Sequence, residues 1–255
     1  MTRYPVPFRP VRTAVVAAGA GLLLAGCSFD LAAAKTETAT ADAVVAEAVT
    51  AVEVPDARRG SIEVTPGSGP GVTVRRTVHY RGSAPTPGQR VEGGRLVFSD
   101  GCPAAAGACW VDYRLEVPAA AAVKLTSSSG RISATGVAAA ELTSSSGAIR
   151  AEGITGPLKA RTASGSVTGA GLSGPSAEAA ASSGAVALEF TKPPASVAAR
   201  TSSGDVTLRV PRAPYRVETG TASGKQDASL ASDPAAASRI AVHTSSGDIR
   251  VEAAG

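Results

Sequence analysis

Aromatic residues are nearly absent from this sequence: they make up 4% of 255 residues, while hydrophobic residues of all kinds make up 44%. A core drawn from such a chain is built from small aliphatic side chains, and it is thin. Histidine is equally scarce. His79 and His243 are the only two and lie far apart, which leaves little for a histidine metal centre or acid–base pair. No run of Lys or Arg exceeds two residues and the net charge is only +4, so the electrostatic footprint of a nucleic-acid-binding chain is missing. No G-x-S-x-G nucleophile elbow occurs either. The one long apolar run, Thr13 to Leu24, falls short of the roughly 20 residues that span a bilayer.

That run follows Arg3, Arg9 and Arg12 and leads directly into Leu24-Ala25-Gly26-Cys27, the order of parts in a secretion signal. The tetrapeptide resembles the lipobox of bacterial lipoproteins. By that resemblance residues 1–26 are a lipoprotein signal peptide, Cys27 is the lipidated N-terminus, and the chain sits on the outer face of the cytoplasmic membrane. An ordinary secreted protein with a cysteine near its cleavage site is the alternative. Removing three arginines from a net charge of +4 leaves +1, so basic attraction to acidic polymers is not expected to dominate. Residues 27–50, rich in Ala and Thr, read as a tether, although ADAVVAEAVT also suits a short helix.

From residue 51 the pattern changes to period-two alternation. AVEV, SIEV, VTVRRTVHY, RLVF and WVDYRLEV predict five strands of a cap over 51–120. Pro66-Gly67, Gly69-Pro70, Pro85 to Gly88 and Gly93-Gly94 provide the turns. The C-x6-C segment inside the cap predicts a disulfide between Cys102 and Cys109, because an exported chain meets oxidising conditions. A metal site is the alternative, but two thiols need two further ligands and the chain offers only His79 and His243. No metal and no cofactor is therefore expected.

What the chain has in excess is one short word. LTSSSGRIS at 125–133 returns as LTSSSGAIR seventeen residues later, and variants recur to the end. Aligned on its glycine, the word occurs at Gly130, Gly147, Gly165, Gly184, Gly204, Gly224 and Gly247, at spacings of 17, 18, 19, 20, 20 and 23. Apolar residues stand two and four places after most of these glycines, and five and seven places before them. Each unit therefore reads as strand, corner, strand, and one unit cannot bury its apolar face unless units stack. The expected fold is all-β: a β-solenoid of about seven short turns over 121–255, preceded by the strand cap. An antiparallel β-sandwich is the alternative, since spacing alone does not separate the two. The corner glycines are expected at positive φ, with hydroxyls bonding turn backbone or the next coil. The sixth unit, with Gln226 at an otherwise aliphatic position, predicts a local irregularity. SGDIRVEAAG closes the last unit without a cap, which makes self-association at an open solenoid end an expectation.

The words TSSGDV and TSSGDI at 201–206 and 244–249, the degenerate copies from Leu125 to Gly224, VPRAPYRVET and the strand-rich cap together resemble the putative-adhesin β-strand-repeat family of bacterial envelope proteins. The resemblance covers Val52 to Glu252 and implies a non-catalytic, adhesin-like role, with an envelope protein or glycan as partner. Members often carry Asp after the glycine. Here only Asp205 and Asp248 do, the other positions being Arg131, Ala148, Ser166, Ala185 and Lys225. The corner serines Ser145, Ser146, Ser183, Ser202, Ser203, Ser245 and Ser246 are expected to form a bonded row, and Asp205, Arg209 and Asp248 an outward contact set. An enzyme of the β-helix type acting on an envelope polysaccharide is the alternative function, and it requires a charged groove across adjacent turns.

Overall fold

The computed structural model describes residues 35–103 and 108–254. The signal segment and Cys27 lie outside the described residues. Twenty-two strands and no helix occur among those described. The first eight are β1 (Glu37–Thr40), β2 (Ala43–Val45), β3 (Ala51–Val54), β4 (Ile62–Gly67), β5 (Val72–Tyr80), β6 (Gly88–Glu92), β7 (Arg95–Ser99) and β8 (Trp110–Pro118). The word-bearing part gives β9 (Ala122–Ser127), β10 (Ile132–Thr135), β11 (Ala139–Ser144), β12 (Ile149–Glu152), β13 (Leu158–Thr162), β14 (Val167–Leu172), β15 (Ser176–Ser183) and β16 (Val186–Phe190). It continues with β17 (Ser196–Ser203), β18 (Val206–Val210), β19 (Arg216–Ser223), β20 (Gln226–Ala228), β21 (Arg239–Ser246) and β22 (Ile249–Ala253).

Each word is the corner between two strands, and the two strands go to opposite sheets. One sheet runs β1-β5-β8-β4-β10-β12-β14-β16-β18-β22-β20, with β2 also on β5; the other runs β19-β21-β17-β15-β13-β11-β9-β3-β7-β6. Pairing between coils is parallel and in register, so that Ile132 stands beside Ile149 and Leu142 beside Ala160. This is the solenoid and not the antiparallel sandwich. Antiparallel pairs are confined to the N-terminal end, between β5 and β1, β2 and β8, and between β6 and β7.

The five strands expected in the cap all form, but the cap is not a separate unit. The β3/β4 pair stacks in parallel on β9/β10, and β7/β8 stacks on the far side of β3/β4. The solenoid therefore counts nine coils among the described residues. The expected tether is shorter than 27–50, because β1 and β2 zip onto β5. Ala43–Val45 is a strand and not part of a helix.

The stacking order differs from chain order at both ends. The last coil, β21/β22, inserts between β17/β18 and β19/β20, so the sixth word lies outermost. Its Gln226 is exposed along with all of β20, whereas Ile240, Val242, Ile249 and Val251 of the inserted coil are at most 1% exposed. Burial of apolar surface, worth roughly 25 cal/mol per Å², favours the apolar coil inside and leaves the polar one to meet water. The open end is consequently the sixth unit, not the C-terminal segment.

The interior is as thin as the composition dictates, and it is filled by complementary sizes. In the coils of β9/β10 and β11/β12, Leu125 and Leu142 share their coil with Ala134 and Ala151; in those of β15/β16 and β17/β18, Ala179 and Ala199 share theirs with Leu188 and Leu208. The changeover falls at β13/β14. There Ala160 accompanies Gly169, a register shift between Gly169 and Leu172 brings Leu172 inside, and a Cβ on Gly169 would press on Leu172 and Leu188. The large residue thus moves from one wall to the other while the interior stays filled.

Candidate functional site

The corner glycines form one continuous ladder. A Cβ on Gly130 would overlap the carbonyl oxygen of Gly60, one on Gly147 that of Gly130, and so on through Gly165, Gly184 and Gly204 to Gly247, and from Gly224 to Gly247. Only four of the seven, Gly184, Gly204, Gly224 and Gly247, have positive φ, between 144° and 155°. For Gly130, Gly147 and Gly165 the expectation of positive φ fails, and the requirement is the close approach of the neighbouring coil's backbone. Gly60 is an eighth member, outside the seven words. Its signal was present in the sequence, as Ile62 and Val64 follow it at the same two and four places.

The hydroxyl three residues before the glycine makes the bonds in every word but that of Gly184, where Ala181 stands in its place. Ser127, Thr162, Thr201 and Thr244 donate to the carbonyl oxygens of Gly60, Gly147, Gly184 and Gly204 one coil away, at 2.9 to 3.2 Å, and Thr221 donates to Gly247 at 3.1 Å. Ser127, Ser144 and Thr162 also accept from the backbone N–H of their own glycine. The serines expected to form a bonded row, such as Ser145, Ser146, Ser202, Ser203, Ser245 and Ser246, are exposed beyond this buried line. Their backbones, as in Ser146 N–H to Ser128 O at 2.9 Å, carry the inter-coil bonding. Asp205 and Asp248 are structural as well: each carboxylate accepts the backbone N–H at the equivalent place one coil outward, Asp248 and Lys225, at 2.8 Å. Arg209, the third of the expected outward set, pairs with Glu252 at 3.3 Å, and all three side chains are exposed.

At the N-terminal end Cys102 and Cys109 form a disulfide, with Cα atoms 5.7 Å apart. Arg58 fastens this loop to the first corner. Its guanidinium donates to Asp100 at 2.7 Å and to the Cys102 carbonyl at 3.1 Å, while its own carbonyl accepts from Ser127, Ser128 and Ser129. Arg58 is the one non-glycine with positive φ among the described residues, at 55°. Behind it, Arg76 is buried, donates to the carbonyl oxygens of Ala41 and Gly88, and lies 5.9 Å from the Phe98 ring. Burial lowers its pKa, and burial likewise raises that of the neighbouring Tyr113 phenol, whose hydroxyl has no partner.

The two histidines remain apart. His79 faces Asp112 at 2.8 Å and stacks on Trp110, ring centroids 4.7 Å apart. The other Asp112 oxygen accepts from Ser61 N–H at 2.7 Å, so both carboxylate oxygens are engaged. Arg59 approaches the Trp110 ring to 6.0 Å. His243 lies on the other sheet, 3.8 Å from Glu218.

Both outer faces carry ladders set by the parallel register. On the ten-stranded sheet, Glu53, Lys124, Glu141, Lys159 and Glu178 alternate in sign across five neighbouring strands, beside a groove of about 660 Å³. On the twelve-stranded sheet a larger groove of about 1110 Å³ runs across β5, β8, β4, β10 and β12. Its lining includes Arg59, Arg75, Arg114, Arg131 and Arg150. Nothing in the sequence pattern marked this cluster, since the five arginines are scattered over 92 residues and only the coil order brings them together.

The Toastrack DUF4097 family matches residues 49–252. Two solved structures are similar. A putative adhesin from Bacteroides fragilis NCTC 9343 is 11% identical, covers 87% of this chain and 99% of its own, and gives a TM-score of 0.44. A putative cell adhesion protein from Clostridium sporogenes ATCC 15579 is 10% identical, covers 86% of this chain and 100% of its own, and gives a TM-score of 0.38. No curated protein matches the chain.

Proposed function

The chain belongs to the Toastrack DUF4097 family, and we propose that it is an exported, lipid-anchored binding module that holds an envelope component on its outer faces without transforming it. The observation that carries this reading is the continuous outer face of the twelve-stranded sheet, where one groove crosses five strands. Repeat scaffolds bind through extended faces of this kind. The Leu-Ala-Gly-Cys27 segment supports attachment to the outer face of the cytoplasmic membrane, where two acyl chains give stable anchoring and one is marginal. The test is fractionation: the wild-type chain is expected with membranes and Cys27→Ala unprocessed or shed. A Cys27→Ala chain that is processed and retained like the wild type overturns the anchor.

An enzyme acting on an envelope polysaccharide is the second reading, and the charged groove is the observation that favours it. Of its three carboxylates, Glu63 pairs with Arg114 at 3.4 Å and Asp112 with His79 and Ser61, which leaves Asp42 alone and no pair of free carboxyl groups. That leaves the groove better suited to holding a chain than to cleaving one. Shortening of an isolated wall or capsule polymer by the purified protein, abolished by Asp112→Asn, would replace the binding reading with this one.

A further inference from the structure

The outward rows of the twelve-stranded sheet place arginine against arginine. Arg75 on β5 is the direct cross-strand neighbour of Arg114 on β8, an arrangement of like charges that costs stability unless something offsets it. Arg114 and Arg150 have Glu63 and Glu152 as ion-pair partners. Arg59, Arg75 and Arg131 are exposed and have no carboxylate within ion-pair distance among the described residues. The groove they line carries six arginines, counting buried Arg76, against Asp42, Glu63 and Asp112. From Arg75 to Arg150 the path crosses four strand steps, roughly 19 Å at the usual spacing between neighbouring strands.

We propose that this groove binds a linear polysaccharide bearing carboxylates, lying along the stack across β5, β8, β4, β10 and β12. The inference rests on the binding-module reading and gives it a partner chemistry. A guanidinium fork matches a carboxylate in two-point geometry, and the exposed hydroxyls of Ser129 and Ser146 on the same lining suit sugar hydroxyls. Charge density decides between polyanions. Three uncompensated arginines over this length fit a chain with sparse, regularly placed charge. A nucleic acid, with one charge per about 1.7 Å of duplex, would crowd its phosphates against Asp42, Glu63 and Asp112.

The test is calorimetric titration of the purified protein with polygalacturonate, dextran and polyphosphate at low salt, with the emission of Trp110 followed in parallel. Trp110 is the only tryptophan and touches the groove through Arg59, so it reports occupancy there. Polygalacturonate is expected to bind and to change the emission, dextran not to bind, and polyphosphate to bind more weakly. Arg75→Ala/Arg131→Ala is expected to weaken polygalacturonate binding by roughly tenfold, the effect of losing two exposed charge pairs, whereas exposed Arg212→Ala leaves it unchanged. Equal binding by the double variant, equal binding of dextran, tighter binding of polyphosphate, or binding without an emission change each overturns the proposal. Sedimentation with isolated envelopes separates the two levels. Protein that binds envelopes but not polygalacturonate overturns the carboxylate assignment alone, and protein that binds neither overturns both.

Discussion

A Cβ on Gly147 would overlap the backbone carbonyl oxygen of Gly130, one coil away. The neighbouring atom is backbone held in a parallel ladder, so the strain is not relieved by rotating a side chain. Gly147→Val is expected to cost about 3 kcal/mol or more. Gly69→Val, where a Cβ meets nothing within 4 Å, is expected to stay within about 0.5 kcal/mol of the wild type. Thermal melts of the two variants check this, and equal melting temperatures would contradict the ladder.

Val206 and Gln226 occupy the same place in the word, two residues after the glycine, and β22 lies between their strands. Val206 is fully buried and Gln226 exposed. Val206→Gln is therefore expected to lose several kcal/mol through an unsatisfied buried amide and lost apolar packing, while Gln226→Val changes stability by less than about 0.5 kcal/mol. Denaturant midpoints distinguish this from a stack in chain order, in which Gln226→Val would fill an interior position and stabilise.

Asp205 accepts the N–H of Asp248 across the coil boundary at 2.8 Å. Asp205→Ala is expected to cost about 0.5 to 1 kcal/mol by removing that exposed bond, whose donor then turns to water. Asp205→Asn, which keeps an acceptor oxygen, should recover most of the loss. Exposed Asp227 makes no such bond and Asp227→Ala is expected to be silent. Chemical denaturation of the three variants measures the differences.

Tyr113 gives the fold an alkaline limit. Burial raises its phenol pKa above the ordinary value of 10.0, with the Arg76 charge acting in the opposite direction. The neutral phenol is the form the folded state favours. Its contribution is complete below the unfolded pKa near 10 and declines as pH rises from there toward the folded pKa. Stability is expected to fall above about pH 10, and Tyr113→Phe to weaken that fall. Because the hydroxyl has no partner, Tyr113→Phe at neutral pH should be neutral or stabilising by up to about 1 kcal/mol. Denaturant midpoints across pH 8 to 11 follow both effects, and an identical pH profile in the variant would contradict them.

The coils and their corners were legible because the parallel register repeats one word, and each word carries its own strand alternation. β10 and β12 could be placed from Ile132, Ala134, Ile149 and Ala151 alone. β1, β2 and β6 were less so. Glu37–Thr40 and Gly88–Glu92 are mostly polar, short strands on the outside of the stack, and they form because β5 and β7 offer edges, not because of an apolar pattern of their own. The arginine groove was illegible for a different reason. Arg75 and Arg131 are separated by four crossings between sheets, and no period in the sequence encodes that they share a face.

The sequence by itself determined the all-β class, the glycine corners, the small-aliphatic core and the disulfide partners, because these depend on local spacing and on composition. Only the tertiary structure decided the order of the coils. A solenoid coil with both neighbours buries its inner residues on two sides, so Ile240, Val242, Ile249 and Val251 gain from an interior place that Gln226 and Asp227 would not. The chain segments around Tyr215 and Ser229–Ser238 are long enough for β21/β22 to reach back past β19/β20. At the other end β3/β4 lies inside β7/β8 although both coils bury apolar residues, Val52, Val54, Ile62 and Val64 in one and Leu96, Phe98, Val111 and Leu115 in the other. That choice is what carries β8 and β5 alongside β4 and assembles the arginine face.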